Sequence, residues 1–166
     1  MEVLPDIVGP DPLVVFCGLA GAESTKTRDH YYASPGNSFW EMLHISGLTP
    51  ERIRAQDDAR IVEHALGLTD LVGHWDPAWV EIDDLVAKVQ RWQPEWLAFT
   101  SKGTAHWAAK ALGRRGRPAL GPADWYLADA QVFVLPGTSG ANQRRDYDGR
   151  PHRLAWWQEL AGLVGR

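Results

Sequence analysis

Apolar positions in this chain follow two patterns, short continuous runs and longer runs with helical spacing. Continuous apolar runs predict buried strands, because a strand of a parallel sheet is covered on both faces. These runs span residues 13–17, 96–100 and 131–135, and 67–72 is a further possible strand or turn. Helical spacing appears over 39–45, 50–66, 80–92, 104–112 and 154–164. This alternation of strands and helices predicts a three-layer α/β fold with a mostly parallel central sheet.

The length and composition of the chain suit a single compact domain. With 166 residues and 45% hydrophobic content, we expect residues 1–166 to form that domain. No apolar run approaches the roughly 20 residues that a membrane span needs. The first residues also lack the basic and apolar regions of a signal peptide. We therefore expect a soluble cytoplasmic protein, and a monomer.

Cysteine and histidine usage limits the chemistry that the chain can carry. Cys17 is the only cysteine, which excludes an internal disulfide and a four-cysteine metal site within one chain. Because Cys17 closes the apolar run 13–17, we interpret it as a core residue rather than a nucleophile. The six histidines show no pair with the spacing of a zinc-binding helix. We expect neither a metal nor a cofactor.

The charge of the chain is acidic overall but locally basic. A net charge of -4 argues against binding DNA through global charge, since DNA backbones are bound by Lys and Arg. Between Gln143 and Arg153, four arginines stand against two aspartates. This segment is a candidate phosphate-facing patch, although an arginine-rich loop is more often a solvated surface.

In open α/β sheets, ligands bind beyond the carboxyl ends of the strands. The loops after Cys17, after the Leu68 region and after Leu135 should therefore converge on one site. The physical pattern alone does not identify the ligand.

Three segments, in order along the chain, carry a family resemblance. Residues 18–40 hold a Gly-containing turn followed by YYASPGNSFW, residues 67–72 are GLTDLV, and residues 135–142 are LPGTSGAN. They resemble the first motif, an intermediate segment and the second motif of the uracil-DNA glycosylase superfamily, in its mismatch-specific uracil/thymine and hypoxanthine branches. The resemblance implies the fold of that superfamily and the activity of a monofunctional DNA glycosylase in base excision repair. Such an enzyme flips a damaged base into a pocket and hydrolyses its bond to the sugar.

The first motif suggests how the base would be held. Tyr32 occupies the position of the family's base-stacking aromatic residue, and its alternative is a tyrosine that packs the loop. Ala20, Gly21 and Ser34 fall at the remaining pocket positions. Ala20 stands where the uracil/thymine branch has a water-positioning Asn, and Ser34 stands where the family often has His.

Catalysis must therefore rely on other residues. Asn37 matches the Asn that the hypoxanthine branch uses when the first-turn Asn is missing; its alternative role is a helix cap, worth about 1 kcal/mol. Asp70 follows Leu68 in a predicted strand-end turn, where a carboxylate can orient water and offset positive charge on the sugar. Its alternative is a turn residue that bonds backbone amides. We favour Asp70 as the water activator and Asn37 as its partner.

The second motif is where relatives push a wedge into the gap left by the flipped base. Its predicted DNA contacts are Ser139, Gly140, Ala141, Asn142, Arg144 and Arg145. Ala141 is a small wedge, which predicts weak filling of the duplex and a preference for single strands or mismatches, whose bases are easier to extract. Arg144 and Arg145 would contact flanking phosphates, and the alternative for the segment is a plain Gly-rich turn.

The leading hypothesis is a glycosylase for deaminated bases at the nucleoid, with uracil first and hypoxanthine or xanthine next. A second hypothesis, prompted by Ala20 and Ser34, is a degenerate family member that binds DNA or abasic sites without excision. A third and weaker one is an unrelated α/β hydrolase of free nucleosides.

Overall fold

The computed structural model describes residues 4–20, 29–72, 80–140 and 146–166. Its strands are β1 (Val14–Ala20), β2 (Leu66–Val72), β3 (Trp96–Phe99), β4 (Gly121–Leu127) and β5 (Ala130–Val134). Its helices are α1 (Phe39–Ile45), a 3₁₀ helix (Ala55–His64), α2 (Ile82–Trp92), α3 (Lys102–Ala111) and α4 (Leu154–Leu163). Among these residues, every helix is too short or too polar to cross a membrane.

The five strands form one sheet in the order β2-β1-β3-β5-β4. All neighbouring pairs are parallel except β4 with β5, which are antiparallel. Every residue of β3, and all but one residue of β1, is buried, as expected for strands covered on both faces. The predicted α/β fold with a mostly parallel central sheet is confirmed.

Helices pack on both faces of this sheet. On one face, Phe16 of β1 contacts Phe39 of α1 at a ring-centroid distance of 5.5 Å and Trp157 of α4 at 5.8 Å. Successive side chains of a strand point to opposite faces, and Thr69 of β2 points away from this aromatic cluster. There it donates a hydrogen bond to Asp6, which also pairs with Lys88 of α2. The sheet is thus the middle of three layers.

The predicted elements are largely found where expected. The possible strand or turn at 67–72 is a full strand, and the helical pattern over 50–66 forms the 3₁₀ helix over a shorter span. Strand β4 was not predicted. It contains Pro122 and Asp124, residue types that are depleted in strands, and its burial alternates because it is the sheet edge, where proline is tolerated.

Candidate active site

Gly18 of β1 marks the point where three segments meet at the carboxyl edge of the sheet. It pairs in register with Asp70 of β2. A β-carbon at residue 18 would lie 2.9 Å from Asp70 Oδ1, 2.9 Å from the Tyr32 hydroxyl and 3.5 Å from Thr100 Oγ1. Only glycine leaves room for these oxygens, so the sequence places a carboxylate and two hydroxyls around one small space. Gly18 and Asp70 lie within strands, and the loops that follow β1 and β2, which we predicted to converge here, fall outside the described residues.

Asp70 is a buried carboxylate, only 5% exposed. The expectation that it lies in a strand-end turn is wrong, because β2 continues to Val72 and Asp70 is paired within it. The run Leu66 to Val72 is apolar enough, apart from Thr69 and Asp70, to be buried as a strand. The strand backbone therefore fixes Asp70 more firmly than a turn would.

Cys17, the residue before Gly18 in β1, is a core residue, as predicted. Its side chain is fully buried. Burial raises the pKa of the Cys17 thiol well above its ordinary value, and the negative charge of Asp70 raises it further. A thiol that stays protonated is a poor nucleophile. The chemistry of this edge therefore falls to the oxygen groups.

Tyr32 is held on one face and at its tip. Its ring stacks on Phe39 with a centroid distance of 4.0 Å and an interplanar angle of 14°. Its hydroxyl donates to Thr100 Oγ1 at 3.0 Å, and Thr100 in turn donates to the carbonyl oxygen of Cys17 at 3.4 Å. The backbone of Tyr32 is left-handed, with φ of 52°, which is uncommon for a bulky residue. Because Phe39 covers one face of the ring, a base could stack only on the opposite face.

A second buried carboxylate anchors the chain just before Tyr32. Asp58, on the 3₁₀ helix, accepts the backbone N–H of Tyr31 at 3.0 Å and lies 3.3 Å from His30 Nδ1. The indole N–H of Trp40 donates to the Tyr31 carbonyl at 3.0 Å. The backbone of Tyr31, just before Tyr32, is thus held by hydrogen bonds from the 3₁₀ helix and from α1.

The two predicted motifs are in direct contact. The backbone N–H of Ser38 donates to the carbonyl oxygen of Thr138 at 2.9 Å, and the Ser38 hydroxyl donates to the same oxygen at 3.3 Å. A β-carbon at Gly140 would lie only 3.0 Å from the carbonyl oxygen of Gly36, so the loops approach closely. Ser139 and Gly140 are exposed beside this contact. The segments before α1 and after β5 therefore form one continuous surface at the carboxyl edge.

Comparison with known proteins identifies the family and supports the fold. A family model described as the Uracil DNA glycosylase superfamily matches residues 5–161. The chain belongs to the uracil DNA glycosylase superfamily. It is also similar to the solution NMR structure of a "putative Uracil DNA glycosylase" from Methanosarcina acetivorans, with a TM-score of 0.63 and 16% identity. That match covers 98% of this chain and 97% of the other, and it shows a shared fold. The family predicted from the three segments is confirmed.

Asn37 and Ser34, both predicted from the superfamily's first motif, lie in the turn before α1. The Asn37 side-chain oxygen accepts the backbone N–H of Phe39 at 2.9 Å, an Asx turn that leads into α1, while the N-cap position itself is Ser38. The Asn37 backbone N–H donates to the Ser34 carbonyl at 3.1 Å, and Ser34 is exposed. One oxygen of Asn37 is thus committed to the helix, whereas its side-chain N–H groups retain the capacity to donate.

Ala20 lies at the end of β1, fully buried and paired with Val72. Its methyl group offers no hydrogen bond at a position where one branch of the superfamily has Asn. The remaining predicted positions fall outside the described residues; they are Gly21, Ala141, Asn142, Arg144 and Arg145.

Two arginines of the predicted phosphate-facing patch have partners within the chain. Arg153 donates to the carbonyl oxygens of Gly137 and Ser139 at 3.0 and 3.1 Å, which ties α4 to the second motif. Arg150 pairs with Glu159 at 2.6 Å, and its guanidinium carbon lies 3.6 Å from the centroid of the Trp156 ring. These two arginines therefore shape the loop rather than form an open patch.

The sequence reasoning missed Thr100 and Asp58. Thr100 was detectable, since it directly follows β3 at the edge where ligands bind. Asp58 gave no such signal, because its partners His30 and Tyr31 are 28 and 27 residues away.

One group of metal-ligating side chains occurs among the described residues, namely Glu51, Glu63 and His64, with ligand atoms within 4.8 Å of one another. Arg60 pairs with both of these carboxylates, at 3.5 Å to Glu63. None of these side chains belongs to the Gly18 cluster. The absence of a metal from the reaction stays a prediction.

Proposed function

We propose that this protein is a monofunctional DNA glycosylase that hydrolyses the N-glycosidic bond of a flipped-out deaminated base, as a step of base excision repair. Uracil is the first candidate, followed by hypoxanthine and xanthine. The observation that carries the proposal is the buried Asp70 carboxylate beside Gly18, at the carboxyl edge of a sheet that belongs to this superfamily.

The chemistry calls for a carboxylate near the sugar. As the glycosidic bond breaks, its electron pair leaves with the base and positive charge develops on the sugar. A fixed negative charge stabilises that transition state, and it needs no reorganisation in a buried site. Asp70 would also orient the water that attacks the anomeric carbon and accept its proton. The departing base anion takes up a proton from solvent water, and Asp70 returns the proton of the attacking water to solvent, so the step is a hydrolysis that consumes one water and needs no cofactor.

Other side chains would support the same step. The flipped base would stack on Tyr32, whose other ring face packs on Phe39, and Ala20, Gly21 and Ser34 are the other proposed base-binding positions. The side-chain amide of Asn37 would donate to the base or to the water as the partner of Asp70. Asn37 is thus assigned two tasks, since its oxygen also accepts the backbone N–H of Phe39 at the start of α1.

The second motif would face the duplex. Ser139 and Gly140 are exposed next to Gly36, and the wedge and phosphate contacts are proposed for the segment that follows, at Ala141, Asn142, Arg144 and Arg145. A wedge as small as alanine fills little of the gap left by a flipped base. We therefore expect better excision from mismatches and single strands than from matched pairs.

A lesion panel tests this proposal. Oligonucleotides that carry uracil, hypoxanthine or xanthine, single-stranded and opposite each normal base, are incubated with the protein, and abasic products are cleaved with alkali. We expect cleavage of at least one lesion, with free nucleosides left intact. No cleavage across the panel would overturn the proposal. Turnover of free nucleosides would instead support an unrelated hydrolase.

A second candidate function is lesion or abasic-site binding without excision. It is favoured by Ala20, whose methyl group cannot position water at the end of β1. Tight lesion binding without product, unchanged by Asp70→Asn or Asn37→Ala, would support this function over the enzyme.

A further inference from the structure

An exposed basic segment connects α3 to β4. From Lys102 to Ala123 the sequence holds five Lys or Arg residues and no Asp or Glu, in a chain whose net charge is -4. Three of the five, Arg114, Arg115 and Arg117, lie in this connection and are exposed. A chain that is acidic overall therefore concentrates positive charge on one short stretch of surface.

These arginines line a cleft rather than a convex turn. The cleft has a volume of about 320 Å³ and lies between Ala109 of α3, the connection itself and Trp125 of β4. The backbone of Gly116 has a φ of 96°, a conformation that favours glycine, and no other group lies within 4 Å of where its β-carbon would stand. This turn separates Arg115 from Arg117 while both border the same cleft. We call it the arginine cleft.

Arg114 is partly ordered before any ligand arrives. Its backbone N–H donates to the Ala109 carbonyl at 2.9 Å, and its guanidinium carbon lies 5.1 Å from the centroid of the Trp125 ring. The one acidic residue of the cleft, Asp124, is 95% exposed and lies 3.7 Å from Arg114. Stacking on a ring leaves the edge of a guanidinium free to bind, and that planar fork matches phosphate oxygens. The cleft is thus suited to a phosphodiester ligand.

The arginine cleft also adjoins the edge of the sheet that holds the candidate active site. Its wall includes Val134, the last residue of β5, and Pro122 of β4. Gly121 pairs with Val134 at this edge, and the second motif begins at the next residue, Leu135. The arginine cleft and the second motif therefore adjoin the same end of β5.

We propose that the arginine cleft is an auxiliary phosphate site, which binds the DNA backbone beyond the nucleotides held at the Gly18 cluster. This inference rests on the proposed function in that DNA is taken as the substrate. The arginine cleft would give an acidic protein a local site for binding DNA, because each phosphate contact by Lys or Arg releases condensed counterions from the DNA. The site contributes affinity without sequence preference.

Salt-dependent DNA binding tests the cleft directly. The variant Arg114→Gln/Arg115→Gln/Arg117→Gln is compared with wild type by fluorescence anisotropy on a long undamaged duplex. The matched control is Arg52→Gln/Arg54→Gln/Arg91→Gln, which removes the same charge from exposed arginines outside the cleft. Each lost phosphate contact lowers the salt slope of log K by about 0.9. We expect a slope smaller by about 2 to 3 and at least tenfold weaker binding at low salt, relative to the control. Equal slopes for the two variants would overturn the inference.

A gain-of-affinity variant guards against misfolding. Asp124→Asn removes the single negative charge of the cleft, and we expect DNA binding about two- to fivefold tighter, as for loss of an exposed opposing charge. Because a fold defect cannot strengthen binding, tighter binding would support the cleft, and binding no tighter than wild type in a variant of wild-type stability would count against it. Poly-glutamate serves as a competitor. Displacement of DNA by poly-glutamate at equal charge would assign the cleft to an acidic protein instead.

Excision is measured separately, on a lesion substrate too short to reach the cleft. We expect the cleft variant to retain wild-type turnover there, and to lose activity only on long substrates. If no lesion is excised but the cleft variant still shows a smaller salt dependence of DNA binding than the control, the proposed function fails and the phosphate site is supported. If lesions are excised while the cleft variant and the control have equal salt slopes, only the proposal of a phosphate site at the cleft fails.

Discussion

Asp58 and Asp70 are the only carboxylates buried in the part of the chain that the structure describes, with 6% and 5% of their surface exposed. Asp58 accepts a backbone N–H from Tyr31 and faces His30, so it is bonded to the chain itself. Asp70 lies across a glycine from the hydroxyls of Tyr32 and Thr100. The two carboxylates are equally buried, but Asp58 contacts a backbone N–H, whereas Asp70 shares the surroundings of Gly18 with two side-chain hydroxyls.

That difference separates a structural carboxylate from a candidate catalytic one. A backbone donor cannot turn toward another partner without moving the chain, so Asp58 is committed to holding the segment before Tyr32. Asp70 borders Gly18, where a β-carbon would stand 2.9 Å from its Oδ1 and from the Tyr32 hydroxyl, at the carboxyl edge of the sheet. A buried carboxylate close to side-chain hydroxyls at the carboxyl edge of a parallel sheet is typical of a functional site.

Replacing the catalytic candidate should give the largest effect. On the proposed function, Asp70→Asn should lower kcat by about 10²- to 10⁴-fold, because a general base and its charge are lost. Lesion binding should persist, since the amide keeps the shape of the carboxylate. Single-turnover excision and anisotropy measure the two properties. Asp58→Asn is the matched control, and an equal loss of kcat in both variants would remove the distinction between them.

Filling the space beside Asp70 should come next. In Gly18→Ala the new β-carbon would stand 2.9 Å from Asp70 Oδ1 and from the Tyr32 hydroxyl, so these groups must move. We expect at least a tenfold loss of kcat/KM and a destabilisation of about 1–3 kcal/mol, typical of overpacking. Gly162→Ala in α4 is the control, since nothing lies within 4 Å of that site. Full activity in Gly18→Ala would mean that the Gly18 space has no part in catalysis.

Removing the structural carboxylate should affect stability more than chemistry. Asp58→Ala leaves the Tyr31 N–H without its acceptor, and we expect a loss of about 1–3 kcal/mol in the free energy of unfolding. Denaturant unfolding measures this loss, and excision per folded molecule should fall less than in Asp70→Asn. Asp58→Asn, which keeps one acceptor oxygen, should lie between Asp58→Ala and wild type. A stability equal to wild type in Asp58→Ala would show that the anchor is dispensable.

The smallest effect concerns the tip of Tyr32. The variants Tyr32→Phe and Thr100→Val each remove one end of the 3.0 Å hydrogen bond between their hydroxyls. A double-mutant cycle in unfolding free energy should give a coupling of about 1 kcal/mol. Excision should change little, since the ring face stays in place. A coupling near zero would mean that packing on Phe39 alone positions the ring.

Much of the fold was predictable because local patterns report burial directly. The runs that form β1 and β3 are apolar throughout, β5 is apolar except for Gln131, and α1, α2 and α4 follow helical spacing. Edge strand β4 escaped prediction, since a half-exposed strand with Pro122 carries neither pattern. The family, too, was predictable, because ordered motifs survive where overall identity to a solved structure is only 16%.

By itself the sequence determined the segments, their type and the residues available for chemistry. Tertiary structure alone decided that Asp70 lies inside β2 opposite Gly18, that Thr100 bonds Tyr32, and that Arg153 ties α4 to the second motif. The physical reason is that periodicity along a chain depends on near neighbours. Which side chains meet across strands depends on register and on the packing of the whole core, and those contacts join residues 14 to 68 positions apart.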